Sequence, residues 1–206
     1  MTDPLNPRTE FSRKLLHLSS SLFGVAYLFL SRDFMLAALG LGVAFSVAVE
    51  LLRYHNAAFR RLFRRAVGAM VRECEWTRVT GATYVWIGAS LTVWLFPRTD
   101  AIAGLLTLSL ADSAAALVGQ YCGRRPFLAK TLEGTAAFFL TALLVILLVR
   151  PEQPAVAAGA ALVVTVIEAL PTLRLGRFEL SDNILIPLTT AAALGVLGGA
   201  PAPAGS

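Results

Sequence analysis

Residues 111–141 read ADSAAALVGQYCGRRPFLAKTLEGTAAFFLT, from Ala111 to Thr141. They place an aspartate inside an apolar run, then two glycines, a basic loop with a Lys-Thr pair, and a glutamate at the mouth of the next apolar run. A charged side chain at membrane depth costs at least about 2.5–3.5 kcal/mol on insertion scales, so Asp112 must face protein, water or an ion.

Composition makes a membrane the natural solvent. The chain of 206 residues is 56% hydrophobic and only 15% charged, with a mean hydropathy of +0.68. A soluble domain carries roughly 25% charged residues. No polar linker divides the chain, so a single transmembrane domain is expected over 1–198, including a basic amphipathic segment at 53–72, with a disordered small-residue tail at 199–206. No small-residue cleavage site follows the first apolar run, which is expected to stay. Cys74, Cys122, His17 and His55 do not form a zinc pattern, and neither cysteine stands in a CxxC pair.

Seven apolar segments approach the roughly 20 residues a helix needs to cross hydrocarbon. They run about Leu15–Leu30, Phe34–Leu52, Val79–Phe96, Ala101–Tyr121, Thr135–Val149, Ala155–Leu170 and Ile184–Gly198. They lack the alternation of a barrel, so the expected fold class is all-α, a polytopic integral membrane protein of about seven transmembrane helices. With seven crossings, 15 of the 18 Lys and Arg fall on one side, and only Arg32, Arg98 and Arg150 on the other. The positive-inside bias then puts the N-terminus in the cytoplasm and the carboxy terminus outside. Net charge of +5 is thus an orientation signal rather than a nucleic-acid footprint.

Within the basic loops, RYHNAAFRRLFRRAVGAMVR from Arg53 to Arg72 carries apolar residues at helical spacing with arginines between them. Two readings stand side by side: a helix lying in the headgroup layer, or a plain orientation signal.

The unusual polar residues open toward the cytoplasm. These are His17, Glu50, Glu73, Glu75, Asp112, Glu168, Ser181, Asp182 and Asn183. In the outer half, Arg32, Asp33, Arg98, Asp100, Arg150 and Glu152 are expected in turns. A transport path needs polar lining on both sides of the midplane, whereas a pocket reached from one side needs it on one. Carboxylates suit Mg²⁺ that bridges phosphates, and Lys with Arg suits the phosphate charge. Gly123 to Lys130 does not fit G-x-x-x-x-G-K-[ST], and no strand precedes it, so the loop is not a Walker motif. Simpler roles stand beside these: a structural buried carboxylate at Asp112, an N-cap at Ser181-Asp182-Asn183, orientation charges at Arg124, Arg125 and Lys130, close helix packing at Gly119 and Gly123, and an interhelical bond at His17. Glu50 and Glu168, near helix ends, read as solvated or paired with a nearby arginine.

The run Ala111-Asp112-Ser113-Ala114-Ala115, Gly119, Gly123, Lys130-Thr131-Leu132-Glu133-Gly134 and Phe138-Phe139 resembles the core of the CTP-dependent lipid-alcohol kinases: dolichol kinase, phytol and farnesol kinase, and CTP-dependent diacylglycerol kinase. Arg13-Lys14-Leu15-Leu16-His17 resembles their RK-x-x-H signature. Glu168 with Leu170-Pro171, then Asp182-Asn183 and Pro187, resembles their E-x-LP and DN-x-x-x-P elements, and Glu73 with Thr80-Gly81-Ala82 and Tyr84 a fourth. The resemblance covers Arg13 to Pro187.

It implies transfer of the γ-phosphate of CTP to the hydroxyl of an isoprenoid alcohol or diacylglycerol, with Mg²⁺. By the same resemblance Asp112, Lys130 and Asp182 are catalytic. Lys14, His17, Arg124, Arg125, Lys130, Thr131, Glu133 and Gly134 bind nucleotide, and Asp112, Glu133, Asp182 and Asn183 hold the metal. The implied partners are a lipid alcohol, a nucleotide and membrane lipids, without nucleic acid, and a homo-oligomer stays open beside a monomer. The implied location is a prokaryotic plasma (inner) membrane with the site facing the cytoplasm. Asp112→Asn and Lys130→Ala are expected to abolish transfer while leaving stability near wild type.

The pattern also resembles phosphatidate cytidylyltransferases, which attack the α-phosphate of CTP. Their carboxy-terminal signature is absent, with SDNILIP in its place, and the kinase reading is preferred. A transporter or a membrane scaffold remains the alternative outside enzymes. The transporter would move substrate without nucleotide, and the scaffold would survive loss of Asp112.

Overall fold

The structure, a computed structural model, describes residues 18–68, 71, 73–171, 174–175 and 178–199. Each of the seven apolar segments is helical within them. The helices are α1 (Ser21–Phe29), α2 (Arg32–His55), α3 (Ala57–Val67), α4 (Gly81–Leu95), α5 (Arg98–Cys122), α6 (Leu132–Val149), α7 (Pro154–Ala169) and α8 (Asp182–Gly198). By length and composition α2, α5 and α6 can cross a membrane, while α4, α7 and α8 are shorter apolar helices. Two features had no sequence expectation. They are two-residue antiparallel ribbons, β1 (Pro126–Phe127) with β2 (Lys130–Thr131), and β3 (Arg174–Leu175) with β4 (Phe178–Glu179).

Helix α5 is the axis, packed against α1, α4, α6 and α8, with α7 against α6 and α8 and α2 outside α4. Lipid supplies no hydrophobic drive between helices, so packing rests on close approach of small residues. The larger core is accordingly alanine-rich, with Ala103, Ala111, Ala142, Ala157, Ala160, Ala161 and Ala193 around Leu108, Phe138, Ile146, Val164 and Leu194. A second core joins Tyr27, Met35, Leu39, Ala89, Val93 and Leu105.

Pro187 shapes one crossing. It has no N–H to give the carbonyl four residues back, that of Asn183. Helix α4 meets that turn through Gly88, where a methyl group would come within 2.3 Å of the Asn183 carbonyl oxygen. Helix α5 does the same through Gly104, where it would come within 2.4 Å of the Pro187 oxygen. A side chain at either position would push α8 away and carry Asp182 with it.

At the end opposite the acidic cluster, the turn residues do more than connect. Asp100 is in the first turn of α5 rather than a turn, fully buried, and accepts from Arg150 Nη1 at 2.9 Å. Arg98 donates to the carbonyls of Tyr27 and Leu28 at the end of α1, and Arg32 to those of Val93 and Trp94 at the end of α4. The three arginines of the minority side thus satisfy helix-end carbonyls or a buried carboxylate, groups that lipid would leave bare.

Candidate active site

Lys130 lies at the start of β2, where the chain reverses before α6. The two-residue turn between the strands puts Leu128 at φ 49°, a left-handed conformation that costs an L residue about 1–2 kcal/mol. Contacts on both flanks hold it. The Ala129 N–H donates to the carbonyl of Ala169 at the end of α7, at 3.2 Å, and the Leu132 N–H to that of Arg125, at 2.9 Å. The hairpin is therefore pinned beside the residue next to Glu168.

The Lys130 ammonium donates to Glu168 Oε1 at 2.9 Å and to Asp182 Oδ2 at 3.3 Å. Glu168 is nearly fully buried, and Asp182 and Lys130 are partly exposed. Burial alone would lower the Lys130 pKa, but Asp182, Glu168 and Asp112 outweigh it and hold it above the usual lysine value of 10.5. Lys130 is a cation at every physiological pH. Three carboxylates from α5, α7 and α8 thus act on one ammonium, and the local balance stays negative.

Neighbouring backbone is arranged by the remaining motif residues. Thr131 is the N-cap of α6, its Oγ1 accepting from the Gly134 N–H at 3.2 Å. A methyl group on Gly134 would meet that oxygen at 2.9 Å and the Ala115 carbonyl oxygen at 3.0 Å. Gly119 and Gly134 are where α5 and α6 close together, which agrees with the packing role read for Gly119. Glu133 Oε2 accepts from the N–H groups of Arg124 and Arg125, at 3.1 and 3.3 Å, and both arginine residues are exposed. That carboxylate orders the loop and leaves the guanidinium groups at the surface. Ser181 caps α8, accepting from the Asn183 N–H at 3.3 Å, so the cap and the Asp182 contact coexist.

A second network meets the first. Asn183 Nδ2 donates to the Gly81 carbonyl at 3.0 Å, and the Gly81 N–H donates to Glu75 Oε1 at 3.3 Å. Glu50 Oε1 accepts from the Thr80 N–H and Oγ1, both at 2.8 Å, while its Oε2 accepts from the buried Arg53. Arg53 also donates to the carbonyls of Glu75 and Arg78, at 2.7 and 2.6 Å. The ends of α2, α4 and α8 are locked together beside the site, through Glu75 and Glu50, a linkage that had no sequence expectation.

Asp112, Lys130 and Asp182 are brought together, and Thr131, Glu133, Gly134, Arg124 and Arg125 surround the hairpin. Lys14 and His17 lie outside the described residues. Glu168 is the residue missed as a site member. A glutamate beside a helix end looks solvated, and its one signal was the E-x-LP element. As for a metal, the donors are hard oxygens in excess over cations, and Glu168 Oε2 is buried without a partner among the described residues. No three His, Cys, Asp or Glu side chains among the described residues form a cage for an ion. Mg²⁺ characteristically takes one or two carboxylates and completes its shell with water and phosphate oxygens, and the residues fit that mode.

The fold and site define an α-helical membrane-type protein with a carboxylate-ringed lysine at one end of its bundle. The chain is related to CTP-dependent lipid kinases. It is 29% identical over 139 residues to the CTP-dependent diacylglycerol kinase 1 of Schizosaccharomyces pombe, a match covering 64% of this chain and 62% of that protein. It is 29% identical over 189 residues to the dolichol kinase of Saccharomyces cerevisiae, covering 85% of this chain and 35% of the kinase. An uncharacterized protein of Rickettsia prowazekii is 27% identical over 184 residues, 87% of this chain and 90% of its own length. The chain thus spans less than two thirds of these named kinases. No family model and no solved structure matches.

Proposed function

We propose that the protein is a CTP-dependent kinase of a membrane lipid alcohol, passing the γ-phosphate of CTP to the hydroxyl of a polyprenol or other isoprenoid alcohol, or of diacylglycerol. The observation that carries this reading is the convergence of Asp112, Glu168 and Asp182 on Lys130, at the bundle end that also bears the exposed Arg124 and Arg125. The relatives' names support CTP as donor and a lipid alcohol as acceptor. In this reading seven helices cross the membrane, the N-terminus is cytoplasmic, and the site opens to the cytoplasm, where nucleotide is dissolved.

Phosphoryl transfer is mostly positioning and neutralisation of charge. Lys130, Arg124 and Arg125 take the charge of the nucleotide phosphates. The lipid hydroxyl enters between helices and its oxygen attacks the γ-phosphorus. The bond to the β–γ bridging oxygen breaks, CDP leaves with that electron pair, and the hydroxyl proton goes to Asp112. Glu168 holds Lys130 in place, and Glu133 holds the arginine loop. Asp112 and Asp182 would hold Mg²⁺, which would supply further neutralisation of the phosphate charge.

The test is phosphorylation by the purified protein in detergent with Mg²⁺, offering γ-labelled CTP or ATP against polyprenol, phytol, geranylgeraniol and diacylglycerol. Label in one lipid from CTP, lost in Asp112→Asn, is the expected result. CDP-lipid made from phosphatidate and CTP, or no product from any pairing, would overturn the reading.

A further inference from the structure

A single residue, Asn56, separates the end of α2 from the start of α3. Asn56 makes the turn, its Oδ1 accepting from the Ala58 and Phe59 N–H groups at 2.9 and 3.0 Å. Helix α2 has 24 residues, about 36 Å of helix against a hydrocarbon core of about 30 Å. Its end, and the start of α3, therefore fall at a bilayer surface.

The apolar side of α3 consists of two stripes with different fates. Phe59, Phe63 and Val67 face inward and are half-buried, with Phe63 edge-on to Trp76 at 6.1 Å and under the Arg53 guanidinium at 5.7 Å. Ala58, Leu62 and Ala66, one position away at the same spacing, are exposed, Leu62 at 62%. Arg61 and Arg65 flank that open stripe and are exposed as well. No acidic residue lies between Ala57 and Val67, so the helix carries four arginines with no carboxylate of its own.

We propose that α3 is an in-plane anchor that lays Ala58, Leu62 and Ala66 into the acyl boundary and contacts anionic phospholipid headgroups through Arg61 and Arg65. Three observations select lipid as the occupant. The helix continues directly from one long enough to cross a membrane. Its charge is complementary to an anionic leaflet. And the open stripe holds one large residue, far less than a stable protein interface needs, but enough to dip a helix into the boundary layer. This inference stands whether or not the kinase reading does.

The test uses the full chain with Cys74→Ser and Cys122→Ser, carrying Leu62→Cys or, separately, Ala58→Cys, labelled with a small fluorophore. Each is reconstituted in phosphatidylcholine vesicles with or without phosphatidylglycerol, doped with lipid bearing a shallow nitroxide. Nitroxide quenching is expected at both positions and should rise with phosphatidylglycerol. Arg61→Gln and Arg65→Gln should each weaken the phosphatidylglycerol-dependent docking about fivefold. Quenching by aqueous iodide but not by nitroxide lipid would overturn the proposal. So would nitroxide quenching indifferent to phosphatidylglycerol and to both arginines, or a probe shielded from both quenchers by cross-linkable contact with a second copy.

Discussion

Lys130 decides the site, and its surroundings change what a substitution there should do. Lys130→Ala would remove the partner of a buried carboxylate, Glu168, and breaking a buried pair from one side costs about 3–5 kcal/mol, less here because Lys130 keeps partial exposure. The expectation from sequence, lost transfer at near-normal stability, is therefore revised. Lys130→Ala should lose both activity and several degrees of melting temperature in detergent. The double variant Lys130→Met with Glu168→Gln should recover most of the stability and none of the transfer. The sign with pH follows from the raised pKa. A cation whose folded pKa exceeds its unfolded value stabilises fully below the usual 10.5 and loses that contribution as pH climbs through the folded value. The melting gap between wild type and Lys130→Met should stay constant from neutral pH to about 10 and narrow above it. A gap that already closes between pH 7 and 9 would contradict the ring of carboxylates.

Between elements, glycine positions separate contact from open space. At Gly104 an added methyl group would meet the Pro187 oxygen at 2.4 Å, and backbone does not yield as a side-chain tip does. Gly104→Ala should destabilise by about 1–3 kcal/mol through this overpacking. It should also lower transfer by more than unfolding explains, because α8 carries Asp182. Gly40, in the middle of α2, has nothing within 4 Å of the same added atom. Gly40→Ala should be neutral or stabilise by up to about 1 kcal/mol, since alanine loses less backbone entropy in a helix. Thermal melts of the two variants beside wild type check both statements. Equal losses would mean that the α5–α8 crossing is looser than described.

Across the whole molecule, polar groups at the two ends of the bundle are used differently. At one end Asp112, Glu168 and Asp182 gather around a partly exposed lysine. At the other, Asp100 and Arg150 are both buried and bond to each other, joining the start of α5 to the end of α6. Asp100→Leu or Arg150→Met alone should cost about 3–5 kcal/mol by stranding the partner, whereas the Asp100→Leu, Arg150→Met pair should cost much less. Under the proposed function, phosphoryl transfer per folded molecule should be unchanged in the double variant, because the pair is at the far end from Lys130. A double-mutant cycle with additive losses would contradict the pairing.

What the amino-acid order determined by itself was the helical class, the positions of the apolar segments and the motif residues Asp112, Lys130 and Asp182. Composition selects the solvent, and lipid permits few backbone solutions, so those features needed no partner to be read. Tertiary structure alone decided that Glu168 joins Lys130, that Glu133 orders the Arg124–Arg125 loop, that Asp100 and Arg150 neutralise each other, and that only half of the apolar side of α3 is covered. The reason is physical. An all-apolar helix does not mark its inward face by periodicity. Which face turns inward is set where small residues let backbones touch, at Gly88, Gly104, Gly119 and Gly134, and those contacts join residues far apart in sequence.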